Sequence, residues 1–186
     1  MRDEIIYRLL RLFMWIVGLM PVFLADFLSG ALGLLWYRLD RRHRLITLDN
    51  IRHALGNRFT PRQQEILAKK VLKNIVSIGF EVAWSCKFNK QRFLSHFTIK
   101  GIDHVKNAHK KGRGVIVVTC HMGNFEMLIP AIDETGFNGY AIYRKLDSAP
   151  LERLIRKIRQ RFGVTMVSTM GASKKMEAIL ESNGVV

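Results

Sequence analysis

Cysteines and metal-binding patterns are scarce in this chain of 186 residues. The two cysteines, Cys86 and Cys120, form neither a CxxC pair nor a spacing that suits a metal site. The sequence therefore excludes a disulfide framework and favours a reducing, cytosolic setting for the folded part. An HExxH pattern is also absent, and no second histidine accompanies His121 on a matching face, so we expect no metal.

Acidic residues are also few. The chain has 15 of them against 30 lysines and arginines, which gives a formal net charge of +15. Such a surplus indicates an anionic partner, namely nucleic acid, an anionic membrane or an acidic protein. A protein that stacks nucleic acid bases places aromatic side chains among its basic residues. Here the aromatic residues fall mainly in apolar stripes, so we expect no nucleic acid partner.

Charge is almost missing from residues 12–37, where Asp26 is the one charged side chain. A helix of this length would reach about 39 Å, enough to span a bilayer core of about 30 Å. Pro21 and Asp26 complicate a single straight span, so two half-helices in the membrane interface or a buried helical hairpin are alternatives. Arginine is more abundant just after this window than before it, which favours a cytoplasmic C-terminal portion.

Helical patterns continue to about residue 95. Residues 41–56 are basic and end at a glycine. Thr60, Pro61 and Gln63 together predict a helix start with a capping box, and the apolar periodicity that follows predicts a helix to about Cys86.

After residue 95, short apolar runs alternate with helical stretches. This alternation predicts an α/β fold in which a mostly parallel sheet is flanked by helices. The predicted strands are 97–99, 115–119, 140–143 and 164–167, with another beginning at Val185, and the predicted helices are 102–110, 124–135, 151–162 and 172–180. We expect three regions: a membrane-associated helical segment (1–40), a basic helical region (41–95) and the α/β core (96–186). Because the chain ends where a strand begins, we expect it to be truncated at its C terminus.

The stretch VIVVTCHMGNFEMLIP places His121 just after a predicted buried strand. Functional groups of open α/β sheets gather at the carboxyl ends of the strands. A tight turn through Gly123 and Asn124 can fold Glu126 back to the imidazole of His121, whose other nitrogen can then accept a proton from a hydroxyl. The same spacing fits a histidine that only caps a strand end, with the glutamate on a solvated helix face.

Cys120 suggests a cysteine–histidine nucleophile. Neighbouring side chains of an extended chain point to opposite faces, so the thiol and the imidazole of His121 would not meet easily. We therefore expect Cys120 to be a small core residue.

The hexapeptide 121–126 matches the pattern H-x-G-N-[WF]-E, and the likeness extends along the whole chain. The sequence thereby resembles the lipid A biosynthesis acyltransferases, the lauroyl/myristoyl transferase family of bacteria, within the glycerolipid acyltransferases that carry an H-x4-D/E box. The other matching segments are Asn50-Ile51-Arg52-His53-Ala54-Leu55, Glu81, Tyr143-Arg144-Lys145-Leu146-Asp147, Leu151-Glu152-Arg153-Leu154 and Arg161-Phe162-Gly163-Val164.

The resemblance implies catalytic roles for His121 as general base and Glu126 as its orienting partner. It implies that Gly123 and Asn124 bind substrate through backbone N–H groups and that Arg144 binds a phosphate. The substrates it implies are an acyl thioester on acyl carrier protein or CoA and a hydroxyl of a lipid A precursor or related glycolipid, with no cofactor. It further implies a place in the bacterial inner membrane, with the catalytic portion facing the cytoplasm.

Other functions remain open from the sequence. Acyl transfer to a lysophospholipid, a glycerol phosphate or a phosphatidylinositol mannoside would use the same His–acid chemistry. A non-catalytic basic module bound to a membrane is the alternative from another class. The predicted helix 151–162 has a basic face that suits anionic headgroups, an acidic carrier protein or plain solvent, formed by Arg153, Arg156, Lys157, Arg159 and Arg161.

Overall fold

The computed structural model describes residues 1–132 and 136–186. Contacts divide the chain into two compact units, one formed by Trp15–Trp84 and the other by Met1–Met14 together with Ser85–Val186. The observed fold is mostly helical with a small parallel sheet, an arrangement consistent with the predicted α/β class.

The apolar N-terminal segment forms two helices, α1 (Arg2–Leu19) and α2 (Val22–Leu39). Pro21 separates them with an extended backbone, φ −61° and ψ 147°, since proline lacks the N–H that a helix interior needs. The interpretation of 12–37 as a single straight helix is therefore wrong, and the interruption that the sequence predicts at Pro21 is confirmed. By length and composition α2 could cross a membrane, although a core helix or a signal sequence meets the same criteria.

Two further helices complete the first unit, α3 (Arg41–Leu55) and α4 (Pro61–Ser85), with a short 3-10 helix (Gly56–Arg58) between them. The capping box at the start of α4 is confirmed, because the Gln63 N–H donates to Thr60 Oγ1 at 3.3 Å and the Thr60 N–H donates to Gln63 Oε1 at 2.8 Å. In the core of this unit α2, α3 and α4 pack together through the buried residues Tyr37, Ile51, Ala68 and Leu72.

The helices α2 and α4 touch closely at Gly33. A Cβ atom added there would lie 2.6 Å from Lys73 Cα and 2.7 Å from its backbone nitrogen, so an alanine forces the helices apart.

Gly33→Ala should therefore destabilise the protein by about 1–3 kcal/mol. Gly30 in the same helix has no atom within 4 Å of such a Cβ, and Gly30→Ala should stabilise by roughly 0.5–1 kcal/mol. Thermal unfolding in detergent, followed by circular dichroism, measures both; equal effects would contradict the close packing.

The second unit contains the sheet. The parallel strands are β1 (Tyr140–Tyr143) and β2 (Thr165–Ser168), paired with Tyr140 beside Thr165 and Tyr143 beside Ser168. Val185 forms parallel bridges to both Val115 and Gly139, which places extended segments in the order 115, 185, 140, 165. Around them lie α5 (Lys90–Leu94), α6 (Ile102–His109), α7 (Leu128–Ala131), α8 (Ala149–Arg159) and α9 (Ala172–Glu181). The predicted strands 140–143 and 164–167 are thus confirmed within one residue, and the predicted helices 151–162 and 172–180 within three residues.

Two predicted strands differ from the structure. Residues 97–99 form no strand, because the Phe97 N–H bonds back to the Leu94 carbonyl at 3.0 Å and its ring packs on Phe93. In the predicted strand 115–119 only Val115 makes a β-bridge, and the following residues are exposed, with Val118 at 89%. Pairing with 184–186 accounts for Val115 and Val117, and past Val117 no strand among the described residues covers the chain.

Cys120 lies in that exposed stretch, so its prediction as a core residue is wrong. The predicted helix 124–135 also differs at its start. A 3-10 turn, Phe125–Met127, precedes the four residues of α7, and positions 133–135 lie outside the described residues.

Candidate active site

The H-x4-E residues and Arg144 follow two extended segments that run in the same direction. Val115 and β1 are both parallel to the segment at Val185, so the chain leaves each of them at the same edge of the sheet. His121 comes after the first segment, and Arg144 comes directly after β1. This edge is where parallel α/β sheets place their functional groups.

His121 is exposed at this edge. The Met122 N–H donates to the Cys120 carbonyl at 2.9 Å, and Gly123 has φ +60°, a left-handed conformation that favours glycine. The chain then enters the 3-10 turn, whose first residue, Phe125, has its ring 4.4 Å from the imidazole centroid. The imidazole therefore contacts an aromatic ring on one side and is otherwise open to solvent.

Glu126 binds an arginine rather than the histidine. Arg159 Nε donates to Glu126 Oε2 at 2.9 Å, and Nη2 donates to Oε1 at 2.6 Å. Both side chains are largely buried, 14% exposed for Arg159 and 18% for Glu126, and bidentate pairs of this kind are strong and well oriented. No hydrogen bond joins Glu126 to His121 in the described part of the chain, because both carboxylate oxygens face the guanidinium.

Sequence reasoning missed Arg159 as a site residue, because it counted this side chain with the basic face of α8. The available signal was its position four residues after Ile155, at the edge of the apolar stripe of the helix. Two other members of the basic set also have partners: Arg153 donates to Glu4 at 2.7 Å, and Arg161 donates to the Ser85 carbonyl at 2.9 Å. Arg156 and Lys157 are exposed.

The other predicted site residues are Gly123 and Asn124, before the 3-10 turn, and Arg144, after β1. Gly123 and Asn124 directly precede the 3-10 turn, and the Asn124 carbonyl accepts the Met127 N–H at 3.2 Å. The Arg144 side chain is 81% exposed, with a 3.7 Å contact to Asp147, so it is available to a ligand. The described residues contain no cluster of three or more histidines, cysteines or acids that could hold a metal.

In the comparison with protein families, one family model matches nearly the whole chain. The model of the bacterial lipid A biosynthesis acyltransferases matches residues 2–186. A search of the curated proteins finds no match. The match includes the H-x4-E turn, the end of β1 and α8. Because it covers residues 2–186, the chain belongs to the bacterial lipid A biosynthesis acyltransferase family.

Proposed function

We propose that this protein transfers a fatty acyl chain from a thioester, carried by acyl carrier protein or CoA, to a hydroxyl of a lipid A precursor or a related glycolipid. The observation that carries the proposal is the family match over residues 2–186, which includes an exposed His121 at the carboxyl edge of the sheet. The family supplies the class of reaction, and the accessible imidazole supplies a base.

In the proposed mechanism His121 is the general base. The acceptor hydroxyl attacks the thioester carbonyl carbon while an imidazole nitrogen takes its proton. The tetrahedral intermediate then expels the thiolate, which recovers the proton from the imidazolium, so an ester and a free thiol result without an acyl-enzyme. Backbone N–H groups at Gly123 and Asn124 would stabilise the developing oxyanion, and Arg144 would bind a phosphate of either substrate.

Glu126 is proposed to orient His121 through the turn rather than by direct contact. Its ion pair with Arg159 ties the turn to α8, and Phe125, the residue before Glu126, contacts the imidazole. A base must be held within hydrogen-bond reach of its substrate, so fixing the turn serves the same purpose as fixing the ring.

A place at the inner membrane, with the site on the cytoplasmic side, completes the proposal. Its support is the set of exposed apolar side chains on α2, which includes Phe23, Phe27 and Leu39. Isolated exposed apolar residues are ordinary, but a surface this rich in them is typical of membrane contact. The proposed glycolipid acceptor would lie in the same membrane.

Acyl transfer by the full chain in membranes tests the proposed reaction. We expect mass spectrometry to show one added acyl chain on a lipid A precursor, with donors on acyl carrier protein and CoA supplied in separate reactions. Lysophosphatidic acid serves as the competing acceptor. Acylation of lysophosphatidic acid but not of lipid A precursors would instead identify the protein as a glycerol phosphate type of acyltransferase. Absence of acyl transfer to any acceptor would favour the non-catalytic membrane-binding module.

A further inference from the structure

Glu152 is a buried carboxylate next to the site. Its side chain lies on α8 and the residue is 6% exposed. Oε1 accepts the Tyr143 hydroxyl at 2.8 Å, and Oε2 accepts the Leu146 N–H at 3.0 Å. Ionised groups are rarely this buried unless hydrogen bonds compensate for the lost water, so the two bonds explain why a glutamate is tolerated here.

The carboxylate stays ionised. Burial raises the pKa of Glu152, but the Leu146 N–H, the Tyr143 hydroxyl and the nearby charges of Arg156 and Lys145 outweigh it and lower the pKa below its ordinary value. The hydrogen bond to this carboxylate raises the pKa of Tyr143, so the phenol remains a donor. Both bonds are therefore charge-assisted and stronger than bonds between neutral groups.

The two bonds hold the loop that carries Arg144. Tyr143 is the last residue of β1, and Leu146 lies two residues beyond Arg144 in the connection to α8. Glu152 thus holds the Tyr143 side chain before Arg144 and the Leu146 backbone N–H after it, while the Arg144 side chain is left exposed. The Tyr143 ring also lies 6.0 Å from the Arg159 guanidinium, at the upper limit of a cation–π contact.

We propose that Glu152 is a positioning residue of the acyl-transfer site, which holds the loop 144–147 so that Arg144 meets the phosphate of the substrate. The proposal rests on the proposed function in that it takes Arg144 as a phosphate-binding residue. It predicts that the effect of Glu152 on substrate binding passes through Arg144.

A double-mutant cycle tests this coupling. Glu152→Ala should raise the KM for the phosphorylated lipid A precursor about tenfold, as expected for the loss of one charge-assisted contact, and leave kcat within about twofold. In an Arg144→Ala background the same substitution should leave KM unchanged, because the contact is already lost. KM increases that multiply would overturn the proposal, as would a loss of kcat at unchanged KM.

Two further variants make the result decisive. Tyr143→Phe removes one of the two bonds, keeps the ring beside Arg159, and should raise KM by less than Glu152→Ala. Glu177→Ala changes the net charge equally at an exposed position of α9 and should leave KM unaltered.

Hydrogen exchange of the Leu146 amide gives a readout that needs no catalysis. Exchange should be faster in Glu152→Ala and unchanged in Glu177→Ala. An unchanged rate in Glu152→Ala overturns the positioning role even if acyl transfer is intact. Absence of transfer by the unsubstituted protein overturns the proposed function, and the exchange rate then decides alone whether Glu152 orders the loop.

Discussion

His121→Ala is expected to lower acyl transfer at least about a hundredfold, because general-base catalysis contributes about 10²–10⁴-fold to the rate. The imidazole is exposed, so its removal leaves no cavity and the protein should fold normally. The rate is measured in membranes with a lipid A precursor and an acylated carrier protein, with the amount of folded enzyme matched between samples.

The matched control for this loss is His104→Ala, which removes another exposed imidazole, in α6. That variant should transfer acyl chains at the unsubstituted rate. Near-normal transfer by His121→Ala would end the assignment of His121 as the base, whatever the stability of the variant. A normal thermal midpoint combined with a lost rate would localise the defect to the chemistry.

Local patterns predicted most of the helices because each signal acts over a few residues. Thr60 and Gln63 cap α4 through bonds that span three positions, and Pro21 ends α1 by its own geometry. Strands are different, since an apolar run becomes a strand only where another strand pairs with it. The runs at 140–143 and 164–167 pair with each other, whereas residues 118–120 have no such partner in the described part of the chain.

The site was predictable in part for the same reason. The order His121, Gly123, Glu126 is a local pattern, and the glycine does occupy the left-handed turn that the spacing requires. The partner of Glu126 comes from α8, 33 positions along the chain. The position of Arg159 at the edge of the apolar stripe marks it as partly buried, but no local pattern names its partner. Glu152 lies in a segment that matches the family, but the sequence assigns it no role, because its burial depends on how α8 lies against the end of β1.

Removing one partner of the Glu126–Arg159 ion pair should destabilise the protein more than removing both. Glu126→Gln leaves the largely buried guanidinium without its counter-charge, and we expect a loss of about 3 kcal/mol in the free energy of unfolding. For a chain of this size that lowers the thermal midpoint by roughly 6–12 °C. The double variant Glu126→Gln/Arg159→Met leaves no uncompensated charge and should lose clearly less.

The exposed pair Glu65–Lys69 on α4 provides the control for this comparison. Its side chains are 48% and 40% exposed at a separation of 2.8 Å. Glu65 also accepts the Tyr37 hydroxyl, and a glutamine oxygen can still accept it, so Glu65→Gln should cost less than about 1 kcal/mol. Equal losses in Glu126→Gln and Glu65→Gln would show that burial does not strengthen the Glu126–Arg159 pair.

Acyl transfer by the double variant then separates the two roles of Glu126. If the pair orients His121 by tying its turn to α8, a folded Glu126→Gln/Arg159→Met protein still lacks that tie and should remain slow. If Glu126 only balances the charge of Arg159, restored stability should bring restored transfer, and the orienting role would be wrong. The rate is compared at a temperature at which every variant is folded, so that a difference in transfer reports the placement of the imidazole rather than the amount of native protein.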